Sequence, residues 1–129
     1  LIGYQLFTVL ALDAAQLPLR VQRVYSSNPK DYPPGGAKQK TDTPWTRQVL
    51  IAGQPFIGHN ADDIRANYND HELLHSLGCD GILNVPAVCK GRVAGTVNMA
   101  GDAGHYAESH IPWGQVIAGL VAPVIELPS

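Results

Sequence analysis

The segment from His71 to His75, HELLH, has the residue types and spacing of a zinc-hydrolase motif. Two histidines one helical turn apart can bind zinc, and Glu72 between them can act as a general base on a zinc-bound water molecule. The longer form of this motif places a third ligand where the chain has Gly81, which has no side chain, with Asp80 one residue away. The motif therefore supplies two of three zinc ligands in register.

Two features of the surrounding sequence argue against zinc catalysis. The motif is bounded by Asp70 and Gly78, so its helix must be short, whereas zinc-protease motifs lie within long helices. Helical spacing also places both histidines opposite Leu73 and Leu77, on the polar side of a helix buried through its leucines. We expect two histidines in solvent or at the edge of a pocket, and we keep a zinc-dependent hydrolase as an alternative.

Cys79 and Cys89 are the only cysteines and offer a second kind of chemistry. A nucleophilic cysteine must be a thiolate, which neighbouring lysine or arginine residues favour. Cys79 instead precedes Asp80, which raises the thiol pKa. Two cysteines are too few for a disulfide framework, so we expect free, mostly buried thiols in a reducing cytosol.

A hairpin is predicted at residues 81–101, where two strand-like runs, 82–89 and 93–99, are punctuated by residues that restrict a sheet. Pro86 cannot donate to a ladder, so its strand must present that position to solvent, a bulge or a cavity. Gly95 leaves an unfilled place on its strand, where another backbone or a ligand can approach.

Asn84 and Asn98 place amide groups in these otherwise apolar runs. A buried amide needs hydrogen-bond partners, so other polar groups must surround each of them. The sequence leaves open whether the two side chains point into a cavity or into the core.

The first strands and the connection after them also have distinct patterns. Residues 3–12 and 19–26 suit strands, and alternation in the second places Arg23 and Tyr25 on the same side. Residues 28–44 contain four prolines and two glycines. A long connection of this kind is usually a lid, a binding loop or disordered.

Three helical regions follow. One is predicted within residues 43–53, with the threonine as N-cap and the glycine as its end. After a short extended piece, two short helices are predicted within residues 61–77, capped by Asn60 or Asp62 and by Asp70. The last helix begins at Pro112. Sequential antiparallel strands with grouped helices predict an α+β fold, a central antiparallel sheet of five or six strands with one covered face.

The last helix carries two different apolar sides. Its large residues repeat at helical spacing and predict the side that packs on the sheet; they are Trp113, Val116, Ile117, Leu120, Val121 and Val124. Gly114, Ala118 and Ala122 form a ridge of small residues that would let a second helix approach closely. Because the helix has almost no charge, we expect a further surface to cover it.

Composition excludes several classes of protein. The net charge is −2 and the basic residues form no stripe, so we expect no nucleic-acid partner. The longest uncharged run, residues 111–125, is shorter than the ~20 residues of a membrane-spanning helix. The chain also has no signal-peptide pattern, so we expect a cytoplasmic protein without a membrane partner.

In the order of its segments, the chain resembles the GAF domains, a family of small sensory and ligand-binding modules related to PAS domains. The segments that carry the resemblance are the two first strands, PWTRQVLIAGQP at 44–55, SLGCDGILNVP at 76–86 and GRVAGTVNM at 91–99. The long first helix of the family has no counterpart, so we expect residues 1–129 to be a single GAF-like domain whose N-terminal helix is missing.

The resemblance implies a sheet with terminal helices on one face and a pocket formed by loops and short helices on the other. The segments that wall this pocket in the family contain the candidate ligand-binding residues Trp45, Phe56, His59, Tyr68, His71 and Asn84. It also implies a homodimer through the terminal helices. Neither the ligand nor any cofactor is identified by the sequence, and no catalytic or metal-binding residue is assigned.

We therefore expect a non-enzymatic, small-molecule-binding sensory module of signal transduction. The enzymatic alternatives are the zinc hydrolase and a thiol reductase that acts through Cys79 and resembles the GAF-type methionine sulfoxide reductases. Those enzymes rely on several cysteines, whereas this chain has only Cys79 and Cys89. A third alternative is a structural dimerisation module whose pocket is vestigial.

Overall fold

The chain folds into an antiparallel sheet of six strands. A computed structural model describes residues 2–13, 19–39 and 43–125. The strand order is β3-β2-β1-β6-β5-β4, and every neighbouring pair is antiparallel. The strands are β1 (Leu6–Asp13), β2 (Arg20–Ser26), β3 (Gly35–Gln39), β4 (Phe56–Gly58), β5 (Gly81–Cys89) and β6 (Arg92–Gly101). The predicted α+β class with an antiparallel sheet is confirmed.

Helices cover both faces of this sheet. Helix α3 (Ile111–Ile125) packs on β5 and β6 on one face. The opposite face is covered by a π-helix (Thr46–Ile51) and two short helices, α1 (Ala61–Asn67) and α2 (His71–Ser76). No helix in the described ranges has the length and apolar character needed to cross a membrane.

The predicted helix boundaries are largely confirmed, and their caps explain them. The backbone N–H of Thr46 donates to Oγ1 of Thr43 at 3.2 Å, and Gly53 leaves the helix with φ +68°. Asn60 caps α1 by accepting from the N–H of Asp63 at 3.0 Å. The prediction for Asp70 was wrong: it stands at the N-cap of α2 but makes no capping hydrogen bond there.

Helix α2 is anchored by a different leucine from those predicted. Leu74 is buried, whereas Leu73 is exposed and Leu77 is half-buried. The second histidine of the HELLH motif, His75, is exposed as predicted, because it lies away from the side that Leu74 buries.

The prediction for the packing of α3 was wrong for four of its six large residues, since only Ile117 and Val121 pack against the core. Its small residues, Gly114, Ala118 and Ala122, are buried against the sheet, while Trp113 and Leu120 are 54% and 74% exposed. The physical reason is space. A Cβ on Gly114 would come within 2.7 Å of Cγ2 of Val85, so the sheet accepts only a small-residue side of the helix at this distance.

A β-bulge changes the predicted alternation of β2. Leu10 pairs with Arg23 and Val9 pairs with Tyr25, so Val24 is an extra residue without a partner on β1. Arg23 therefore shares the face of Leu10, whereas Tyr25 turns to the other face and contacts the ring of Phe7 at a centroid distance of 6.1 Å. The prediction that Arg23 and Tyr25 share a side was wrong.

The proline-rich connection contains structure that the sequence did not indicate. Residues 35–39 form β3, which pairs with β2 at the edge of the sheet. Before this strand, Tyr32 is buried in a turn that the N–H of Tyr32 closes on the carbonyl oxygen of Asn28 at 2.9 Å. Over residues 28–39 the connection is thus a loop followed by an edge strand rather than one structureless segment.

The unusual residues of the hairpin have the predicted consequences. Pro86 lies on β5 beyond the end of β4, where Phe56 pairs with Asn84, so its missing donor breaks no ladder bond to that strand. At Gly95 a Cβ would collide with the carbonyl oxygen of Leu10, which confirms a close backbone approach. The turn itself places both Lys90 and Gly91 at positive φ, as a tight two-residue hairpin requires.

Candidate functional site

Asn84 and Asn98 face each other on the side of the sheet opposite α3. They are paired in the register of β5 and β6, and both are buried. Their strand neighbours Leu83, Val85 and Val97 point the other way and pack in the same cluster as Ala118 and Ala122 of α3. Because side chains alternate along a strand, the two amides must point toward the π-helix, α1 and α2.

The two amides belong to one chain of buried hydrogen bonds. Nδ2 of Asn84 donates to Oδ1 of Asn98 at 2.7 Å, and Nδ2 of Asn98 donates to Oγ1 of Thr8 at 3.2 Å. This chain crosses three neighbouring strands, since Thr8 lies on β1. The sequence left open whether the amides point into a cavity or into the core: Asn98 lines a cavity, and Asn84 is buried beside it without lining it.

Two aromatic residues from the opposite layer complete the network. Nε1 of Trp45 and the hydroxyl of Tyr68 both donate to Oδ1 of Asn84, at 3.1 and 2.6 Å. Their rings meet edge to face at a centroid distance of 5.8 Å. Burial of the Tyr68 hydroxyl raises its pKa well above the ordinary value, so the phenol is a protonated donor at neutral pH.

A cavity of about 40 Å³ lies next to this network, between the sheet and α2. Its polar walls come from Thr8, Asn98, Arg23 and the two tyrosines Tyr32 and Tyr68. The apolar walls are Leu6, Leu10, Leu74, Ile82 and Ala100. The volume is several times the ~10–15 Å³ that one water molecule needs and far below the ~300 Å³ of a site for a drug-sized ligand.

Tyr32 reaches the cavity from the loop before β3. Its hydroxyl donates to the carboxylate of Asp70, which ties this loop to the start of α2. Burial, together with the Asp70 charge, raises the pKa of Tyr32 well above the ordinary value. The bond also explains why Asp70 does not cap α2, because its carboxylate is engaged by the phenol.

Arg23 stands beside Tyr32 with neutral partners. Its guanidinium carbon lies 3.7 Å from the centre of the Tyr32 ring, and Nη1 donates to the carbonyl oxygen of Pro33 at 2.7 Å. Nε of Arg23 is buried and has no hydrogen-bond partner in the described part of the chain. The same holds for Oγ1 of Thr96, two strands away on β6.

The predicted site residues do not all meet in one place. Trp45, Tyr68 and Asn84 lie together in the network, and Phe56, paired with Asn84 across β4 and β5, packs against the same clusters. His59 is exposed, and its backbone N–H donates to the carboxylate of Asp63 at 2.8 Å. His71 lines a separate groove outside α2.

That second groove holds the HELLH side chains. It has a volume of about 300 Å³ and is lined by Ala61, Ile64, Arg65, His71, Glu72, His75 and Asp80. Nδ1 of His75 lies 2.7 Å from Oδ1 of Asp80, so the second histidine is already paired with a carboxylate. In ranges 2–13, 19–39 and 43–125, no three His, Cys, Asp or Glu side chains converge as a metal site would require.

Cys79 is placed unfavourably for thiol chemistry. It is buried, and burial, followed by the charges of Asp80 and Asp102, raises the pKa of its thiol to about 11. A thiol with this pKa is protonated at neutral pH and is a poor nucleophile. Neither Cys79 nor the half-buried Cys89 forms a disulfide, as predicted.

Solved structures of other proteins have the same arrangement of sheet and helices. The GAF domain of a two-component sensor histidine kinase from Bacillus halodurans aligns with a TM-score of 0.73 at 17% identity, over 98% of this chain and 84% of that one. A GAF domain/HD domain protein from Geobacter sulfurreducens aligns with a TM-score of 0.71 at 15% identity, over 97% and 82%. This chain has the GAF fold.

The GAF fold by itself leaves the activity open. A type II free methionine-R-sulfoxide reductase from Thermoplasma acidophilum also aligns, with a TM-score of 0.69 at 10% identity, over 95% of this chain and 79% of that one. Sensor and enzyme thus share the architecture. No protein-family model and no curated protein matches the chain.

Sequence reasoning missed three polar residues of the cavity wall as well as its apolar residues. Thr8 and Arg23 lie on strands whose pairing brings them beside Asn98, and Tyr32 lies in a loop that returns to α2. A signal existed for two of them. Arg23 is a charged residue at a strand position that shares its face with Val21, and Tyr32 is an aromatic residue isolated among prolines and glycines.

Proposed function

We propose that this chain is a non-enzymatic sensory module of signal transduction that binds a small molecule on the cavity face of its sheet. The observation that carries the proposal is the cavity beside the buried network of Trp45, Tyr68, Asn84 and Asn98. A concave site with apolar walls and a few convergent polar groups is the usual form of a small-molecule site.

The energetics of the network support a binding role. Burying amide and hydroxyl groups stabilises a fold little compared with apolar packing, so a layer of polar side chains at this depth favours specificity over stability. Of the predicted ligand-binding residues, Tyr68 lines the cavity, and Asn84 accepts from both Tyr68 and Trp45 in the network behind the wall. Phe56 supports this network, whereas His59 and His71 belong neither to the cavity nor to the network.

The size of the cavity limits the ligand. About 40 Å³ admits a molecule of a few non-hydrogen atoms. A larger ligand requires that Tyr32 leave its bond to Asp70 and that the loop before β3 open. The polar contacts of this loop with the cavity face are made by the Tyr32 hydroxyl and the Pro33 carbonyl, and the ring of Tyr32 is buried in the adjacent apolar cluster.

The sheet offers a short path from the cavity to α3. Asn98 lines the cavity and accepts a hydrogen bond from Asn84, while Val85 and Val97, their neighbours on the same strands, pack in the cluster that includes α3. A ligand that shifts β5 and β6 would therefore move α3. The exposed stripe of α3 is the proposed contact with a second copy of the chain; it consists of Trp113, Val116, Leu120 and Val124.

The enzymatic alternatives lack support at the residues that would act. His75 is paired with Asp80, and the Cys79 thiol is protonated at neutral pH. The remaining alternative is a dimerisation module with a vestigial pocket. It predicts the same contact between two copies through α3, but no ligand in the cavity.

A thermal-shift screen separates binding from a vestigial pocket. Nucleotides, amino acids, aromatic acids, short carboxylic acids and tetrapyrroles are tested against the wild-type chain and an Asn84→Leu variant. A ligand at 100 times its Kd stabilises the native state by about 2.7 kcal/mol. We expect at least one class to raise the midpoint of the wild type and not of the variant. A flat response across all classes contradicts the proposal.

A further inference from the structure

The cavity contains a positive charge that the fold does not neutralise. Arg23 lines the cavity, and within the described ranges no aspartate or glutamate forms an ion pair with it. Its partners are the Pro33 carbonyl oxygen and the Tyr32 side chain, both uncharged. The nearby carboxylate of Asp70 accepts from the hydroxyl of Tyr32. A guanidinium has five N–H donors in a planar fork that matches a carboxylate.

One nitrogen of the Arg23 guanidinium has no hydrogen-bond partner in the described part of the chain. This nitrogen is Nε, which is buried, whereas Nη1 donates to the carbonyl oxygen of Pro33. A buried donor on a charged group is costly when it is left without an acceptor. Alternation from the buried Val21 places Arg23 on the cavity face, where it pairs with Leu10 of β1.

A second donor lies in the same cavity. Oγ1 of Thr8 accepts from Nδ2 of Asn98, which leaves the hydroxyl hydrogen of Thr8 to donate. The remaining walls are aliphatic, from Leu6, Leu10, Ile82 and Ala100 among others. The cavity therefore joins a cationic end to an apolar body, within a volume of about 40 Å³.

We propose that this cavity binds a short-chain monocarboxylate, with the carboxylate on Arg23 and the alkyl group against the aliphatic walls. The inference rests on the proposed function, since it names the ligand class of the same site. An inorganic phosphate carries more charge than one guanidinium neutralises and would leave the apolar walls unused. A neutral ligand of the same shape would offer Nε of Arg23 only an uncharged acceptor, which forms a weaker hydrogen bond than a carboxylate does.

The direct test compares two ligands of nearly the same shape. Sodium propionate and propionamide are titrated into the wild-type chain by calorimetry at constant ionic strength, with acetate and butyrate as size controls. We expect saturable binding of propionate and at least about tenfold weaker binding of propionamide, because hydrogen bonds to charged groups are the stronger ones. Equal binding of the two compounds overturns the proposal, and this comparison needs no variant.

Variants then assign the binding to Arg23. Arg23→Gln removes the charge from the cavity, and Arg20→Gln removes one from an exposed position of the same strand. After circular dichroism shows that both fold, propionate should bind Arg20→Gln like the wild type and Arg23→Gln at least about tenfold more weakly. Wild-type affinity in Arg23→Gln overturns the proposal.

Different results would overturn the carboxylate inference and the sensory proposal. If another class of compound binds through Trp45 and Asn84 while no carboxylate from acetate to butyrate binds, the carboxylate inference is wrong and the sensory proposal stands. If no compound of any class binds, both are wrong.

Discussion

Asn84 is the residue on which most of the cavity face depends. Its Oδ1 accepts from Trp45 and Tyr68, and its Nδ2 donates to Asn98. Replacing it with an apolar side chain removes three buried hydrogen bonds, those to Trp45, Tyr68 and Asn98. The loss of each buried hydrogen bond costs about 1–3 kcal/mol.

Asn84→Leu should therefore lower the free energy of unfolding by about 3 kcal/mol or more. Tyr68→Phe is the matched control, because it removes one of the two donors to Asn84 and leaves the acceptor bonded to Trp45. It should cost about 1 kcal/mol. Urea denaturation followed by tryptophan fluorescence measures both. Equal losses for the two variants would show that Asn84 does not link the network.

Thr96 is a position where a substitution should raise the free energy of unfolding. Its Oγ1 is buried and has no partner among the described residues, so the hydroxyl contributes a desolvation cost without a hydrogen bond. Thr96→Val replaces it with a methyl group of similar shape and should raise the free energy of unfolding by about 1 kcal/mol. Urea denaturation tests this, and a destabilised variant would mean that the hydroxyl has an unseen partner.

Cys79 makes stability depend on pH in the alkaline range. The ordinary thiol pKa is 9.0, and burial raises that of Cys79 to about 11 in the folded state. The folded state therefore holds this proton more tightly, and the stability it contributes is complete below pH 9.0 and lost as the pH rises towards 11. Across this window the wild type should lose stability faster than Cys79→Ala in urea titrations. Parallel losses would contradict the assigned pKa.

At the residue scale, the sequence could show which residues of the hairpin are unusual, but not which residues they contact. The amides of Asn84 and Asn98 and the missing Cβ of Gly95 were recognisable because each is costly in a plain strand. Their partners Thr8 and Tyr68 are brought in by strand pairing and helix packing over long stretches of chain. Nothing in the sequence near Asn84 specifies which aromatic residue will reach it.

Among the elements, α3 shows why periodicity fixed a helix but not its orientation. Both sides of the helix are apolar, so the pattern does not distinguish the buried side from the exposed one. Packing decides: Leu83 and Val85 already fill the space above β5, and Gly114 fits where a larger residue would collide. In β2, likewise, alternation assigned Tyr25 to the face of Arg23, and the bulge at Val24 turned Tyr25 to the opposite face.

Two glycines of α3 test this orientation. At Gly114 a Cβ would lie 2.7 Å from the buried Val85, whereas at Gly119 nothing lies within 4 Å. Gly114→Ala should lower the free energy of unfolding by about 1–3 kcal/mol through overpacking. Gly119→Ala should raise it by up to about 1 kcal/mol through helix propensity. Thermal unfolding measures both, and a stabilised Gly114→Ala would mean that this side of α3 does not face the sheet.

For the whole molecule, the exposed apolar side of α3 has consequences for assembly. Leu120 and Val124 are 74% and 82% exposed, which is unusual for adjacent large residues on one helix. If a second copy covers them, Leu120→Glu should yield a monomer with an unchanged unfolding midpoint at low concentration. Ile51→Glu, at a position 65% exposed on the π-helix, is the control and should leave the mass unchanged. A wild-type monomer at micromolar concentration in sedimentation equilibrium would contradict the dimer.

The two tryptophans test the binding face most directly, because they lie on different sides of the molecule. Nε1 of Trp45 donates to Asn84 beside the cavity, while Trp113 is 54% exposed on α3. In a nitrogen–proton correlation spectrum each indole gives its own signal, and both can be followed while candidate compounds are titrated. A ligand of the cavity must shift the Trp45 signal in a saturable manner. Compounds that shift only Trp113, or a library that shifts neither, would contradict the assignment of this face as a binding site.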